Sequence, residues 1–210
     1  MYACAQCRST ACDDGQATRF PPGCPGLDDE REQHLRLYGD AADEMLARNA
    51  ALVEAAGYCR QTRVEEIMAF ARRCGFRRLG IAFCIGLRRE AAVLDRVLVA
   101  NGFGVESVVC KNGSFAKELL GIEDADKVAP GTFEPMCNPI GQARFLEKAG
   151  TELNVVLGLC VGHDSLFFKH SHAPVTVVAT KDRVLGHNPL AALYLADGYY
   201  RGKLFPETSR

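Results

Sequence analysis

Three apolar stretches of the chain each end on a cysteine: RRLGIAFC (77–84), FGVESVVC (103–110) and LNVVLGLC (153–160). A fourth stretch, APVTVVAT (173–180), has the same β-branched character without the cysteine. Helical spacing fills the gaps: LRREAAVLDRVLVANG (87–102), PIGQARFLEKAG (139–150) with Pro139 in its first turn, and the short HDSLFFKHS (163–171). Strands separated by helices imply a parallel sheet, because each parallel connection must cross back over a face. The expected fold is α/β, a Rossmann-like parallel sheet of about four strands flanked by helices. A Cys-rich segment precedes it at the N-terminus.

Residues 1–26 are rich in Cys, Gly and Pro, and FPPGCPG (20–26) suits neither a helix nor a central strand. From Leu27 apolar residues recur at helical spacing through Leu35, Tyr38, Ala42, Met45 and Leu46. Asp28 to Glu30 suit the start of that helix and Gly57 its end. A second helix is expected from Thr62 to Cys74, with Thr62 and Glu65 as a capping box. The stretch 111–136 reads as loop, with a short helix near Ala116–Leu120, and NPLAALYLADG (188–198) reads as a closing helix. Three regions result: a metal-binding segment over 1–26, a helical region over 27–75 packed on the core, and an α/β domain with a Cys-lined crevice over 76–210.

The 210 residues carry a net charge of -1, which argues against a nucleic-acid partner. No apolar run approaches the roughly 20 residues of a spanning helix. The opening MYACAQCRST has no signal-peptide pattern. A soluble cytoplasmic chain without a membrane partner is the expectation. In that compartment thiols stay reduced, so ten cysteines point to metal or redox chemistry.

The cysteines fall into two sets. Cys4, Cys7, Cys12 and Cys24 form C-x2-C-x4-C-x11-C followed by Pro25. A two-residue gap lets two sulfurs reach one centre, and the segment has no apolar pattern with which to fold. Zinc and an iron–sulfur cluster both suit this set, and the trailing Cys-Pro is a feature of ferredoxin ligand runs. Cys84, Cys110 and Cys160 end strands, and Cys137 precedes a helix in MCNP. The carboxyl ends of parallel strands share one edge, so these four are expected to converge as cluster ligands. The competing reading is four buried small hydrophobes. Cys74 shares a helix face with Val64, Ile67, Met68 and Ala71 and is expected in the core, whereas Cys59 between helices is an alternative ligand.

Polar groups surround the same edge. Gly162 turns the chain, and His163 and Asp164 open a helix beside Cys160; Asp164 suits a cap as well as proton transfer. Lys181, Asp182, Arg183, His187 and Asn188 follow the last strand, and Lys111 and Lys117 follow Cys110. Cations near thiolates offset a negative cluster. The leading expectation is iron–sulfur binding, most simply 4Fe–4S, with His163, Asp164 or Lys181 moving protons. The chemistry would be redox or lyase-type, on a small or anionic substrate, with an electron-transfer partner. One alternative is a non-catalytic carrier or sensor of zinc or an iron–sulfur cluster. Another is a thiol hydrolase, since Gly158 to Gly162 spell G-x-C-x-G and Asp182 and His187 follow in order.

RRLGIAFCIGLRREA, VESVVCKNG, MCNPIGQA, GLCVGHDSLFFKHSHAPVT and KDRVLGHNPLAALY, together with CAQCRSTAC, resemble a family of cysteine-rich prokaryotic metal-binding proteins, domain of unknown function 1847. The likeness spans nearly the whole chain and implies metal binding. By that resemblance Cys4, Cys7, Cys12, Cys84, Cys110, Cys137 and Cys160 lie in family motifs. Gly104 departs from the pattern, standing where an acidic residue is expected.

Overall fold

The structure, a computed structural model, describes residues 2–205. The chain divides into two compact units, with the boundary between Tyr58 and Cys59.

The first unit begins with three single-turn 3-10 helices, at Cys4–Gln6, Ala17–Arg19 and Pro25–Leu27. Helix α1 (Arg31–Leu37) and helix α2 (Ala41–Gly57) follow. The single helix expected from Leu27 to Gly57 is therefore broken. Gly39 weakens the helix, and the Asp40 carboxylate accepts from the N–H groups of Ala42 and Asp43 at 2.9 and 3.2 Å. That bond satisfies amides which a new helix leaves open, so the chain restarts there. Of residues 2–48, Ala11 alone is buried.

The second unit holds α3 (Arg63–Arg73), β1 (Arg78–Phe83), α4 (Arg88–Ala100), β2 (Gly104–Val109), α5 (Pro139–Lys148), β3 (Leu153–Leu157), α6 (His163–His170), β4 (Val175–Ala179), α7 (Leu190–Tyr194) and α8 (Arg201–Leu204). The Thr62–Glu65 capping box opens α3 as expected. The closing helix is shorter than the 188–198 pattern suggested. The four strands form one parallel sheet in the order β2-β1-β3-β4, the α/β architecture read from the sequence.

Strand alternation sorts the core into two layers. Leu79 and Ile81 of β1, with Leu153, Val155 and Leu157 of β3, meet Ile67 and Ala71 of α3 and Leu94 and Leu98 of α4. Ala82 and Val156 point the other way, onto Ala143 and Leu146 of α5 and Phe167 of α6. Leu79, Leu98 and Leu146 are fully buried. Each such side chain contributes roughly 1.5–3 kcal/mol over an exposed one. The strand parity continues past the strand ends. Cys84 follows Ala82, Cys110 follows Val108, and both join the α5/α6 layer. Cys137 and Cys160 precede the helices of that same layer.

The stretch 111–136 has more order than its composition suggests. The Lys127 ammonium is buried against Glu118 (2.5 Å) and Asp124 (3.0 Å) and donates to the Thr132 carbonyl at 3.0 Å. Lys117 pairs with Glu134. No helix among the described residues is long and apolar enough to cross a membrane.

Candidate functional site

Register explains why two of the cysteines sit side by side. Phe83 lies level with Val109 on β2 and with Leu157 on β3. The next residues are Cys84, Cys110 and Gly158, so neighbouring strands offer thiol, thiol and glycine at one level. The ladder continues one bond further: Cys84 N–H donates to the Leu157 carbonyl at 3.1 Å and Cys110 N–H to the Phe83 carbonyl at 2.8 Å. The chain runs from β1 outward to β2 and then back across to β3. The strand order reverses beside Cys84, where sheets of this type open a crevice.

A polar zipper brings in the third thiol. Asn138 N–H donates to the Cys110 carbonyl at 2.7 Å. Asn112 Nδ2 donates to the carbonyls of Val109 and Asn138 at 2.9 and 3.0 Å, and Asn138 Nδ2 donates to Asn112 Oδ1 at 2.9 Å. Gly141 is required beneath this pair, since a Cβ there would lie 2.3 Å from Asn112 Oδ1. The Gln142 side chain, fully buried, donates to the carbonyls of Val108 (2.7 Å) and Phe83 (3.2 Å), tying the ends of β1 and β2 together.

The result is a chain of three thiols with Cys110 in the middle, hydrogen-bonded to Cys84 and to Cys137. Cys110 and Cys84 are 2% and 6% exposed, so water does not compete for them. The Cys110 hydrogen bond, helped by the Gly86 amide and Lys181, lowers the Cys84 thiol to about 5. The same donor, with Lys111 and His163, lowers Cys137 to about 6. Cys110 shifts upward, because both neighbours need its proton and burial disfavours a third charge. The one Cys110 proton can bond only one neighbour at a time, so the three sulfurs share it and titrate together. Ile85 N–H also donates to Cys110 Sγ at 3.4 Å.

Cys160 stands apart from this chain. Gly158 adopts φ +67°, the chain leaves the sheet, and Cys160 falls two residues beyond the level of Cys84. Its sulfur accepts from Arg183 Nη2 at 3.3 Å. That guanidinium also lies within the field of Cys84 and Cys137. Arg183 and Lys181 come from a self-closed loop after β4. The Asp182 carboxylate accepts from the N–H groups of Val184 and Leu185 at 2.9 and 2.8 Å, and His187 Nδ1 accepts from Asp182 N–H at 3.1 Å. Asp182 and His187 thus shape the loop that presents the two cations. Lys181 Nζ occupies a notch between two glycines, 3.3 Å from where a Cβ on Gly86 would stand and 3.9 Å from one on Gly158.

His163 is half-buried beside Cys137, and its Nδ1 is buried without a hydrogen-bond partner among the described residues. Asp164 accepts from the Ser165 amide at 2.8 Å, within its own helix. Lys111 donates to the Pro135 carbonyl next to Cys137, while Lys117 is committed to Glu134 and lies outside the site.

In the first unit, Cys4, Cys7 and Cys24 line one cavity of about 470 Å³, and Cys12 does not. Ser9 N–H donates to Cys7 Sγ and Gly26 N–H to Cys24 Sγ, each at 3.4 Å. Such bonds stabilise charge on sulfur. No disulfide is formed among the described cysteines. Cys74 is half-buried at the end of α3, and Cys59 is exposed with φ 55°.

The family model for DUF1847, described as a protein of unknown function, matches residues 24–178. The chain belongs to this family. An uncharacterized protein of Methanocaldococcus jannaschii is 39% identical over 201 residues, covering 96% of this chain and 97% of that one. No solved structure matches. The family span includes Cys24, Cys84, Cys110, Cys137 and Cys160; Cys4, Cys7 and Cys12 precede it, and Lys181 and Arg183 follow it.

The donor chemistry fits a thiophilic metal centre: convergent thiols, two of them readily ionised, with amide N–H groups and cations around them. Among the described residues, no three or more His, Cys, Asp or Glu side chains are already arranged around a single ion position. Sequence reasoning passed over Gln142, Asn112 and Asn138, which set the distance between the thiols. The only signal for them was polar residues in otherwise apolar or turn-forming surroundings.

Proposed function

We propose that this protein binds an iron–sulfur cluster at the carboxyl edge of the sheet, held by Cys84, Cys110 and Cys137 with Cys160 beside them. The observation that carries this reading is that the sheet register sets Cys84 level with Cys110, while Asn112 and Asn138 tie the segment of Cys137 to the Cys110 backbone. Three thiolates this close together are costly without a cation among them. A soft metal takes all three as thiolates and releases the shared proton. Lys111, Lys181 and Arg183 offset the negative charge of a thiolate-bound cluster. Thiols drawn from three separate segments favour a cluster over a structural zinc, whose ligands come in tight sequence pairs.

When bound, such a cluster supplies electron transfer or Lewis acidity. His163 and Lys181 are the groups that can hold or move a proton beside it, in a redox or lyase-type step on a small molecule. Asp164, bonded within its own helix, is less well placed. An electron-transfer partner is required if the chemistry is redox. Cys4, Cys7 and Cys24 form a second, smaller site, for which zinc is the alternative metal. Zinc is also the second reading for the crevice, favoured by the direct contact of the thiols: Zn–S bonds of about 2.3 Å hold sulfurs roughly 4 Å apart. A non-catalytic carrier would use the same ligands.

Anaerobic purification with iron, sulfide and zinc analysis tests the proposal. The expected preparation is brown, absorbs near ~400 nm and contains iron and sulfide in matching amounts. A colourless protein holding zinc alone selects the second reading. A protein that takes up neither metal overturns both.

A further inference from the structure

We infer that the four crevice cysteines are not equivalent. Cys84, Cys110 and Cys137 would hold the cluster, while Arg183 holds Cys160 aside, and Lys181, Arg183 and His163 mark a place beside it for a small oxyanion. This deepens the iron–sulfur reading and rests on it.

The asymmetry begins in the sheet register. β1 and β2 deliver thiols at one level, and β3 delivers Gly158 there instead. With φ +67° and a would-be Cβ 2.1 Å from Leu87 Cδ1, Gly158 admits no side chain. The space beside it is taken by the Lys181 ammonium. Cys160 emerges two residues later and meets a guanidinium rather than another thiol. A fourth equal ligand would have joined the hydrogen-bonded thiol chain.

The surroundings of that fourth place suit an anion. Lys181 and Arg183 are presented by a loop whose Asp182 carboxylate is turned to its own backbone. Neither cation forms an ion pair with a carboxylate among the described residues. The buried, unpartnered Nδ1 of His163 stands on the Cys137 side. It can donate to an oxyanion or accept from its protonated form. A guanidinium matches carboxylate and phosphate oxygens in a two-bond fork, so both are candidates. Binding breaks the Arg183–Cys160 contact, and the oxyanion takes the guanidinium.

The test uses the full chain, reconstituted anaerobically with ferrous iron and sulfide. Iron and sulfide content, absorbance and the electron paramagnetic resonance of the reduced protein are the readouts. Cys160→Ala is expected to keep iron and sulfide at the wild-type level, while Cys84→Ala and Cys137→Ala lose them. Cys137 is only half-buried, so its variant remains informative if a more buried one fails to fold; circular dichroism checks each. Malonate and inorganic phosphate are titrated separately into the loaded wild type, and at least one is expected to shift the resonance spectrum. Arg183→Ala is expected to weaken that anion about tenfold or more without changing the iron content. Loss of the cluster in Cys160→Ala equal to that in Cys84→Ala overturns the inference and leaves the iron–sulfur reading standing. A loaded wild type indifferent to both anions overturns the oxyanion place. A wild type that takes up no iron overturns the reading itself, and the inference with it.

Discussion

The two cysteine-bearing regions are held in different ways. In the first unit, Cys4, Cys7 and Cys24 sit on turns, and the surrounding segment is tied by local bonds such as Arg31 Nη1 to the Gly26 carbonyl at 2.6 Å. Its apolar side chains are largely in solvent: Leu35, Leu37 and Tyr38 are all more than half exposed. In the second unit, Cys84 and Cys110 continue strands and are themselves buried, and Cys137 is tied on by two asparagines. The sheet positions its thiols through its own register and hydrogen bonds. The N-terminal loop has almost no core to hold its thiols. The difference is one of preorganisation, and it predicts unequal responses to mutation.

The largest contrast should come from apolar truncation. Leu98→Ala, at a fully buried site, is expected to destabilise the protein by about 2–5 kcal/mol in urea unfolding. Leu35→Ala, 65% exposed, should stay within about 0.5 kcal/mol. Equal losses would abolish the contrast. Gly158→Ala comes next, at about 1–3 kcal/mol, because the left-handed backbone and the contact with Leu87 both resist a methyl group. The same measurement reads it, and a neutral result would mean that the strand end is not rigid. Asp40→Ala should cost about 1 kcal/mol by removing the cap of α2, and Asp40→Asn should restore most of it.

A smaller effect sharpens the chemistry of the crevice. In metal-free protein, alkylation of Cys84 and Cys137, followed by peptide mass spectrometry, should stay near its plateau from pH 8 down to about pH 7. It should fall only as the pH passes through about 6 for Cys137 and about 5 for Cys84. Both shifts are downward, so the reactive thiolate persists at pH values where an ordinary thiol, with a value of about 8.5, is mostly protonated. A rate dropping tenfold per unit from pH 8 would show that the hydrogen bonds from Cys110 do not form.

Much of the fold was legible because its signals are local. The apolar runs at 77–84, 103–110 and 153–160 became β1, β2 and β3, and the Thr62–Glu65 pair capped α3. The break at Asp40 was harder to see, because the apolar spacing runs straight through it and only a hydrogen bond at the backbone stops the helix. The site was legible in part. Three strands ending in cysteine placed those thiols on one edge. Their order around that edge was hidden, since it depends on which strands pair and in what register. Asp182 and His187 suggested a catalytic pair from their spacing, whereas in the structure each bonds the backbone of its own loop.

The sequence by itself determined the alternation of strands and helices, the sheet edge on which Cys84, Cys110 and Cys160 emerge, and a first segment too polar and broken to bury a core. Those properties follow from the periodicity and chemistry of neighbouring residues. Only the tertiary structure decided that Cys84 and Cys110 are level, that Gly158 takes the third place, and that Cys160 faces Arg183. The physical reason is that strand pairing and side-chain direction join residues tens of positions apart, through hydrogen bonds that no short stretch of chain contains.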